Sequence, residues 1–373
     1  MIQAQSTTTG GASRFALAGS IGALVAVTLS LAFLAQTPDL ETIDYVSVWA
    51  GAQMIGPDLY DPVRLERIEH TVSPKITGKR YIRPPYYVMM FWPLGRLPYR
   101  AAYAGFVFMN LAALLFFLRI WRFDTPSIIA CTFFLPLAWS FGIGQDAPLL
   151  LLLVAGAAQL IQRRRDFAGG ALLALFTVKL HLFVFLPLVL IAQRKYRALA
   201  GLAVGGSALY LLAAAFVGID WPLKSLHAAI LNDATFIPTT PGVAGLLRTL
   251  HAPGWLLLPA IAAGIVMVYR RARTIAWLPA AALAIAAGVV FAPRAQVYDG
   301  SFFLLLLLLV AAPALVSIAG VAVIAVVTPA ALAGQLAGIG IFLAGWRRLG
   351  AGPQAVSRPG TSLESIDSDI AVG

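Results

Sequence analysis

Apolar stretches with few or no charges recur along this chain, separated by short basic or mixed polar turns. Phe15–Ala35, Ala198–Val217 and Ile275–Ala292 carry no charge at all. Stretches near the roughly 20 apolar residues that cross a bilayer as a helix predict an all-α fold, a polytopic transmembrane helix bundle of about 10–12 spans. Further spans are expected at Ala101–Leu118, at Ser127–Phe141, from Pro148 to the arginines at 163–165, and at Trp255–Tyr269. Phe167–Val178 and Leu182–Ala192 are each short for a crossing and flank Lys179 and His181. Short or broken helices with ionisable residues at the break line cavities. Ser301–Gly345 fits two ordinary spans, which length favours, or three short ones broken near Pro313 and Pro329, which the positive-inside rule favours because they put Arg347 and Arg348 inside.

The polar segments divide the rest. Residues 1–13 read as a disordered cytoplasmic tail and 350–373 as a second disordered, acidic one. The membrane-embedded domain is 14–349, with a large extracytoplasmic loop at 36–100 and a second long one at 218–251. The first loop holds Trp49, Tyr60, Tyr81, Tyr86, Tyr87 and Trp92, residues that suit a membrane interface, and Pro62 to His70 looks helical and amphipathic. Arg14 precedes an apolar run too long for a signal-peptide core, so this run reads as an uncleaved first helix.

Composition agrees with the pattern: 60% hydrophobic residues, 12% charged and a mean hydropathy of +0.84. Soluble domains carry about 25% charge. The net charge of +11 is gathered at Arg119 and Arg122, Arg163–Arg165, Arg194, Lys195 and Arg197, and Arg270, Arg271 and Arg273. Basic clusters between apolar spans follow the positive-inside rule and describe topology, not nucleic-acid binding. They place the protein in the cell (inner) membrane as a multi-pass chain whose polar outer loops face the periplasm or exterior. The single Cys131 excludes a disulfide framework. No Walker A, dinucleotide-type GxGxxG, HExxH or CxxC pattern occurs. Four histidines, none spaced i,i+4, do not suggest a zinc site, and no metal or other cofactor is expected.

With this topology the unusual polar residues fall on one side: Asp44, Gln145 and Asp146, Lys179 and His181, Asn232 and Asp233, and Arg294, Tyr298 and Asp299. Carboxylates, cations and aromatic rings around one opening suit an anionic, lipid-linked substrate. Each residue also has a plainer reading. Asp44 is also a natural helix cap, Lys179 a snorkelling cation, Gln145 a helix-start residue, and Arg294 and Asp299 a structural ion pair.

Five segments, in order, resemble glycosyltransferase family 87, the polyprenyl-phosphate-sugar-dependent, mannosyltransferase-like membrane enzymes of the GT-C class. They are DYVSVWAGAQMIGPDLYDP, YIRPPYYVMMFWPLGRLP, GIGQDAPLLLLL, GGALLALFTVKLHLFVFLPLVLIAQRKYRAL and APRAQVYDGSFFLLLLL. Arg83 stands where the family often has an aromatic residue, and Gly300 where it often has leucine. The resemblance implies a GT-C-like bundle that moves a sugar, mannose being a candidate, from a polyprenyl phosphate to an extracytoplasmic lipid or glycan acceptor, with inversion. It implies Asp44 as general base and Lys179, His181 and Arg294 as ligands of the donor phosphate. Arg83, Gln145, Asp146, Asn232, Tyr298 and Asp299 are left to bind sugar or acceptor. The expected partners are donor, acceptor and membrane lipids, with no nucleic acid. The alternative is a transporter or flippase of lipid-linked glycan, for which internal repeats and polar residues near the midplane are expected; neither is evident in the sequence.

Overall fold

The computed structural model describes residues 44–121, 125–232, 240–311 and 313–350, and every regular element in them is helical. The first membrane helix expected at Phe15–Ala35, both tails, Arg122, Asp233 and the side chain of Asn232 lie outside the described residues. The segment 44–98 holds four short helices: α1 is Tyr45–Gln53, α2 Pro62–Glu69, α3 Pro85–Met90 and α4 Trp92–Gly95. The amphipathic reading of Pro62 to His70 thus corresponds to α2. Asp61 caps it, accepting hydrogen bonds from the Val63 and Arg64 amides at 2.9 and 3.2 Å, and Pro62 supplies the preset φ of a first helical residue.

Long helices follow. α5 is Tyr99–Ile120. The single span expected at Ser127–Phe141 is instead two helices, α6 (Thr125–Thr132) and α7 (Leu135–Gly142). Pro136 is the reason: it lacks a donor and fits only at the start of a helix, so the chain breaks and restarts before it. α7 then meets α8 (Ala147–Gln162) at a bend of 119°. α9 (Asp166–Leu173) continues through a 3-10 turn, Ala174–Lys179, into the short α10 (Leu180–Phe183). The interruption expected around Lys179 is therefore present as a tightened helix.

α11 (Leu186–Ala192), α12 (Tyr196–Val217), α13 (Trp221–Asn232), α14 (Val243–Thr249), α15 (Leu257–Ala272) and α16 (Trp277–Phe291) come next. A 3-10 turn at Val297–Phe302 leads to α17 (Phe303–Val310), α18 (Pro313–Ile324) and α19 (Ala331–Arg348). The stretch Ser301–Gly345 thus resolves into three helices, the alternative that the charge rule favours. Against the 10–12 spans expected, four continuous helices among the described residues are long and apolar enough to cross a membrane, or five if the bent pair α7–α8 is one span, and three further apolar helices are shorter, because breaks such as that before Pro136 divide the apolar runs.

Exposure sorts these helices. α16 is uncharged and buried along nearly its whole length, so it forms the centre of the bundle. α12 and the helix ending at Ala272 bury little of their apolar surface within the chain, which in a membrane leaves them facing lipid.

The bundle has two chemically distinct ends. α8 starts beside Gln145 and Asp146 and ends at Arg163; the next span starts at Arg165 and Asp166 and ends at Lys179 and His181. Several helices meet at the basic end. Gln193 donates to the Ala272 and Ile275 carbonyls at 3.0 and 2.9 Å, Arg271 lies 4.4 Å over the Trp346 ring, and Arg348 donates to the Val310 carbonyl. Arg347 and Arg348 therefore join the other arginines. Two helices close at this end with the same turn. The Arg165 amide bonds Leu160 O and the Lys195 amide bonds Leu190 O, both at 2.8 Å, with Arg164 (φ 60°) and Arg194 (φ 55°) left-handed between. This is a Schellman closure with arginine in place of the usual glycine, and the cation faces the negative end of the helix dipole.

α9 and α12 touch backbone to backbone. A Cβ at Gly170 would overlap the Ala198 carbonyl, and one at Gly201 the Phe167 carbonyl. Gly170→Val is therefore expected to separate the two helices that carry and brace Lys179, at a cost above about 2 kcal/mol. Thermal unfolding in detergent measures it; an unchanged transition would contradict the packing.

Candidate functional site

The turn between α7 and α8 builds the site. Gly144 takes φ +71°, and a Cβ there would collide with Tyr45 and Tyr103, so only glycine fits. The Gln145 amide returns to Ser140 O at 2.8 Å, and the Tyr103 hydroxyl donates to the Phe141 and Gly142 carbonyls at 3.0 and 2.9 Å. Held this way, Gln145 and Asp146 point inward, 4% and 0% exposed.

Asp44 is fixed to the same turn, its amide 2.8 Å from Ile143 O. It stands before α1, yet its carboxylate makes no capping hydrogen bond. The carboxylate instead accepts from Gln145 Nε2 at 2.7 Å and lies 3.8 Å from Lys79 Nζ. Its side chain is 38% exposed, the most open of the paired site groups. The capping explanation for Asp44 does not apply.

Gln145 connects the parts. Its Oε1 accepts from Arg83 Nη2 at 2.7 Å and faces Lys179 Nζ at 3.5 Å. Arg83 also pairs with Asp146 and lies 4.4 Å over the Tyr87 ring. Its loop is strapped from several sides: Tyr60 donates to Arg83 O, Tyr81 to Pro84 O and Ser225 to Ile82 O, each at 2.8 Å, while Tyr86 and Thr177 hydroxyls meet at 2.5 Å. Burial opposes the charge on Arg83, but the Asp146 carboxylate and the hydrogen bond to it outweigh that cost and raise its pKa, so Arg83 stays charged.

Lys179 sits where the 3-10 turn passes into α10, only 5% exposed. Its Nζ is 2.7 Å from Asp299 Oδ1, 3.8 Å from Asp146 Oδ1 and 4.6 Å from the Tyr298 ring centre. Asp299 also accepts from the Gln296 amide at 2.9 Å and meets His181 Nε2 at 3.3 Å. The structural pair considered between Arg294 and Asp299 is thus replaced: Lys179 and His181 hold Asp299, and Arg294 donates to Ala229 O at 3.2 Å. The snorkelling reading of Lys179 also fails, because the amine turns inward to carboxylates. Asn232 ends α13, three residues beyond that Ala229 carbonyl.

The structure therefore joins Asp44, Arg83, Gln145, Asp146, Lys179, His181, Tyr298 and Asp299 into one connected network. Asp146 and Asp299 are its buried counter-ions, whereas Asp44 and His181, 29% exposed, form its accessible edge. Beside His181, Leu180 and Val184 are 66% and 55% exposed, so the polar edge adjoins an apolar surface. Sequence reasoning missed Lys79, whose turn carries no pattern that points to Asp44. Tyr87 and Thr177 were missed as well; Tyr87 read only as an interfacial ring, and Thr177 lies in an apolar run. Among the described residues no group of three His, Cys, Asp or Glu is placed to hold a metal ion.

The family model of glycosyltransferase family 87 matches residues 81–317, more than half of the chain. The chain belongs to glycosyltransferase family 87. Searches of curated proteins and of solved structures found no match. Arg83, Gln145, Asp146, Lys179, His181, Arg294, Tyr298 and Asp299 all lie inside the matched stretch, while Asp44 and Lys79 precede it. A family 87 chain with several membrane-spanning helices is a multi-pass membrane glycosyltransferase.

Asp146 is fully buried against Arg83. Arg83→Met is expected to destabilise the protein by about 3–5 kcal/mol, because it takes from the buried Asp146 its closest counter-ion and leaves it only Lys179 at 3.8 Å. The double variant Arg83→Met/Asp146→Leu should recover most of that loss. Detergent melting curves of the three proteins check it; a harmless single variant would mean that the pair is not buried as described.

Proposed function

We propose that this enzyme transfers a sugar, mannose being the candidate, from a polyprenyl phosphate to an extracytoplasmic lipid or glycan by a single inverting displacement. The observation that carries this reading is the Asp44 carboxylate. It is not spent on capping, is oriented by Gln145, and stands open at the edge of a cluster rich in cations. In the step, Asp44 takes the proton of the acceptor hydroxyl as its oxygen bonds the anomeric carbon. The bond from that carbon to the phosphate oxygen breaks on the opposite face, and the polyprenyl phosphate departs with the electron pair. Removing the proton in the transition state is general-base catalysis. Arg294 and Lys179 are the cations offered to the departing phosphate, with the His181 ring beside them as a hydrogen-bonding partner, and groups fixed in advance lower the barrier.

His181 is the most exposed of the groups paired with Asp299, and Leu180 and Val184 beside it give a prenyl chain an apolar surface to lie on. Lys179 is held against Asp299, so it acts best as a fixed positive charge behind His181. Arg83 with Gln145, and Tyr298 over Lys179, are then the groups beside which sugar or acceptor would lie. Asn232 remains a candidate by position. The positive-inside rule places the arginine end in the cytoplasm of the inner membrane and the site at the periplasmic or exterior face.

Asp44→Asn keeps the size and most hydrogen bonding of the side chain but cannot accept the proton. Transfer from radiolabelled polyprenyl-phosphate sugar is expected to fall about 10²- to 10⁴-fold, with donor binding retained. Asp39→Asn and Glu41→Gln should transfer near the wild-type rate. Full transfer by Asp44→Asn would remove Asp44 from the mechanism.

A further inference from the structure

Lys179 does not leave its helix in ordinary α-helical register. The six residues Ala174–Lys179 form a 3-10 turn, and Lys179 itself departs from helical conformation, with φ −119° and ψ 68°. A 3-10 helix winds tighter than an α-helix and has poorer hydrogen-bond geometry, so a run of this length needs support. The winding decides where the amine goes. Over the five steps from Ala174 to Lys179, relaxation to an α-helix would draw Lys179 back by about 2.5 Å and rotate it by about 100°. Its Nζ would then lose Asp299 at 2.7 Å and Gln145 at 3.5 Å.

The support is a pair of hydroxyls. Thr177 carries the one hydroxyl in the apolar run Phe167–Leu180. Its Oγ donates to the Ala174 carbonyl, three residues back, at 2.6 Å. That step is the 3-10 spacing, so the side chain reinforces the tightened winding. It also uses the only proton of the hydroxyl, so in the 2.5 Å contact between them Tyr86 is the donor and Thr177 accepts. Tyr86 is itself held: it is 4% exposed, its ring meets Trp221 edge-on at 6.2 Å, and the ring of its neighbour Tyr87 lies under Arg83. One strap thus ties the turn that presents Lys179 to the loop that presents Arg83, and both cations face Gln145 Oε1. Valine has the same shape as threonine and suits an apolar run, but it makes neither bond. We propose that Thr177, braced by Tyr86, is a positioning residue for the transfer reaction, holding the 3-10 turn that aims Lys179 at the donor phosphate. The inference rests on the reading of Lys179 as a phosphate ligand. Thr177 acts only through Lys179, by keeping the amine at the depth and angle from which it serves the carboxylates and the phosphate together.

The test is transfer kinetics with polyprenyl-phosphate sugar in lipid nanodiscs, with melting curves recorded alongside. Thr177→Val should lower kcat/KM for the donor about five- to twentyfold, a part of what a charge-assisted hydrogen bond contributes, with acceptor KM unchanged. Tyr86→Phe should show a smaller fall, because the bond from Thr177 to Ala174 remains. Thr177→Ser keeps both bonds and should transfer near the wild-type rate. The double variant Tyr86→Phe/Thr177→Val separates positioning from stability. With both hydroxyls gone neither is left stranded, so its melting transition should return towards wild type while donor kcat/KM stays low. A double variant that regains wild-type donor kcat/KM together with its stability would show that the hydroxyls only satisfy each other, and would overturn the proposal. So would a Thr177→Ser enzyme as impaired as Thr177→Val, or a loss that falls equally on donor and acceptor. If such a result accompanies an impaired Lys179→Met, only the role of Thr177 falls; a folded Lys179→Met enzyme with wild-type donor kcat/KM removes Lys179 from the phosphate itself.

Discussion

The buried ion pair between Lys179 and Asp299 is the constraint on which the rest of the site depends. It joins residues 120 positions apart at 2.7 Å, 5% and 2% exposed. Ions so far from water are tolerated only when each finds an opposite charge and its remaining polar atoms are bonded. That requirement propagates. Lys179 also draws on Asp146 and Gln145; Asp146 takes Arg83, and Gln145 orients Asp44. The helices that present these groups must then meet at one end of the bundle, with the arginines left at the other. The tightened turn Ala174–Lys179 delivers the amine, and the glycine contacts between α9 and α12 hold that turn in place.

The chemistry follows from how exposure is graded along the network. Groups that need to be fixed are inside, and Asp44 and His181, the base and one of the groups offered to the phosphate in the proposed reaction, are at the edge. A carboxylate meant to take a proton has to stay reachable and ionised, and Asp44 is both oriented and open. The segment before the family match adds more than loop. It brings Asp44 and Lys79 to the same edge, so the candidate base comes from outside the matched stretch.

Much of this could be read from the chain because it is local. Long apolar runs place most of the helices but not the number that can cross a membrane, arginine clusters mark one end, and the five ordered segments carry the family. For the C-terminal stretch the charge pattern favoured three segments and length two, and three helices are present. Other features are not local. Pro136 splits a span that composition alone reads as continuous. Which carboxylate meets which cation depends on contacts across tens to hundreds of residues, so Asp299 went to Lys179 and not to its neighbour Arg294. Lys79 belongs to a polar stretch where charge is ordinary; only its distance to Asp44 marks it.

The account stands or falls on direct displacement with Asp44 as base. The most direct measurement is the anomeric configuration of the product formed by purified enzyme in lipid nanodiscs from a panel of polyprenyl-phosphate sugars and native lipid extract, read by NMR. A single displacement predicts a glycosidic bond of configuration opposite to that of the donor. A product that keeps the donor configuration would contradict it, since retention requires a different course at the anomeric carbon.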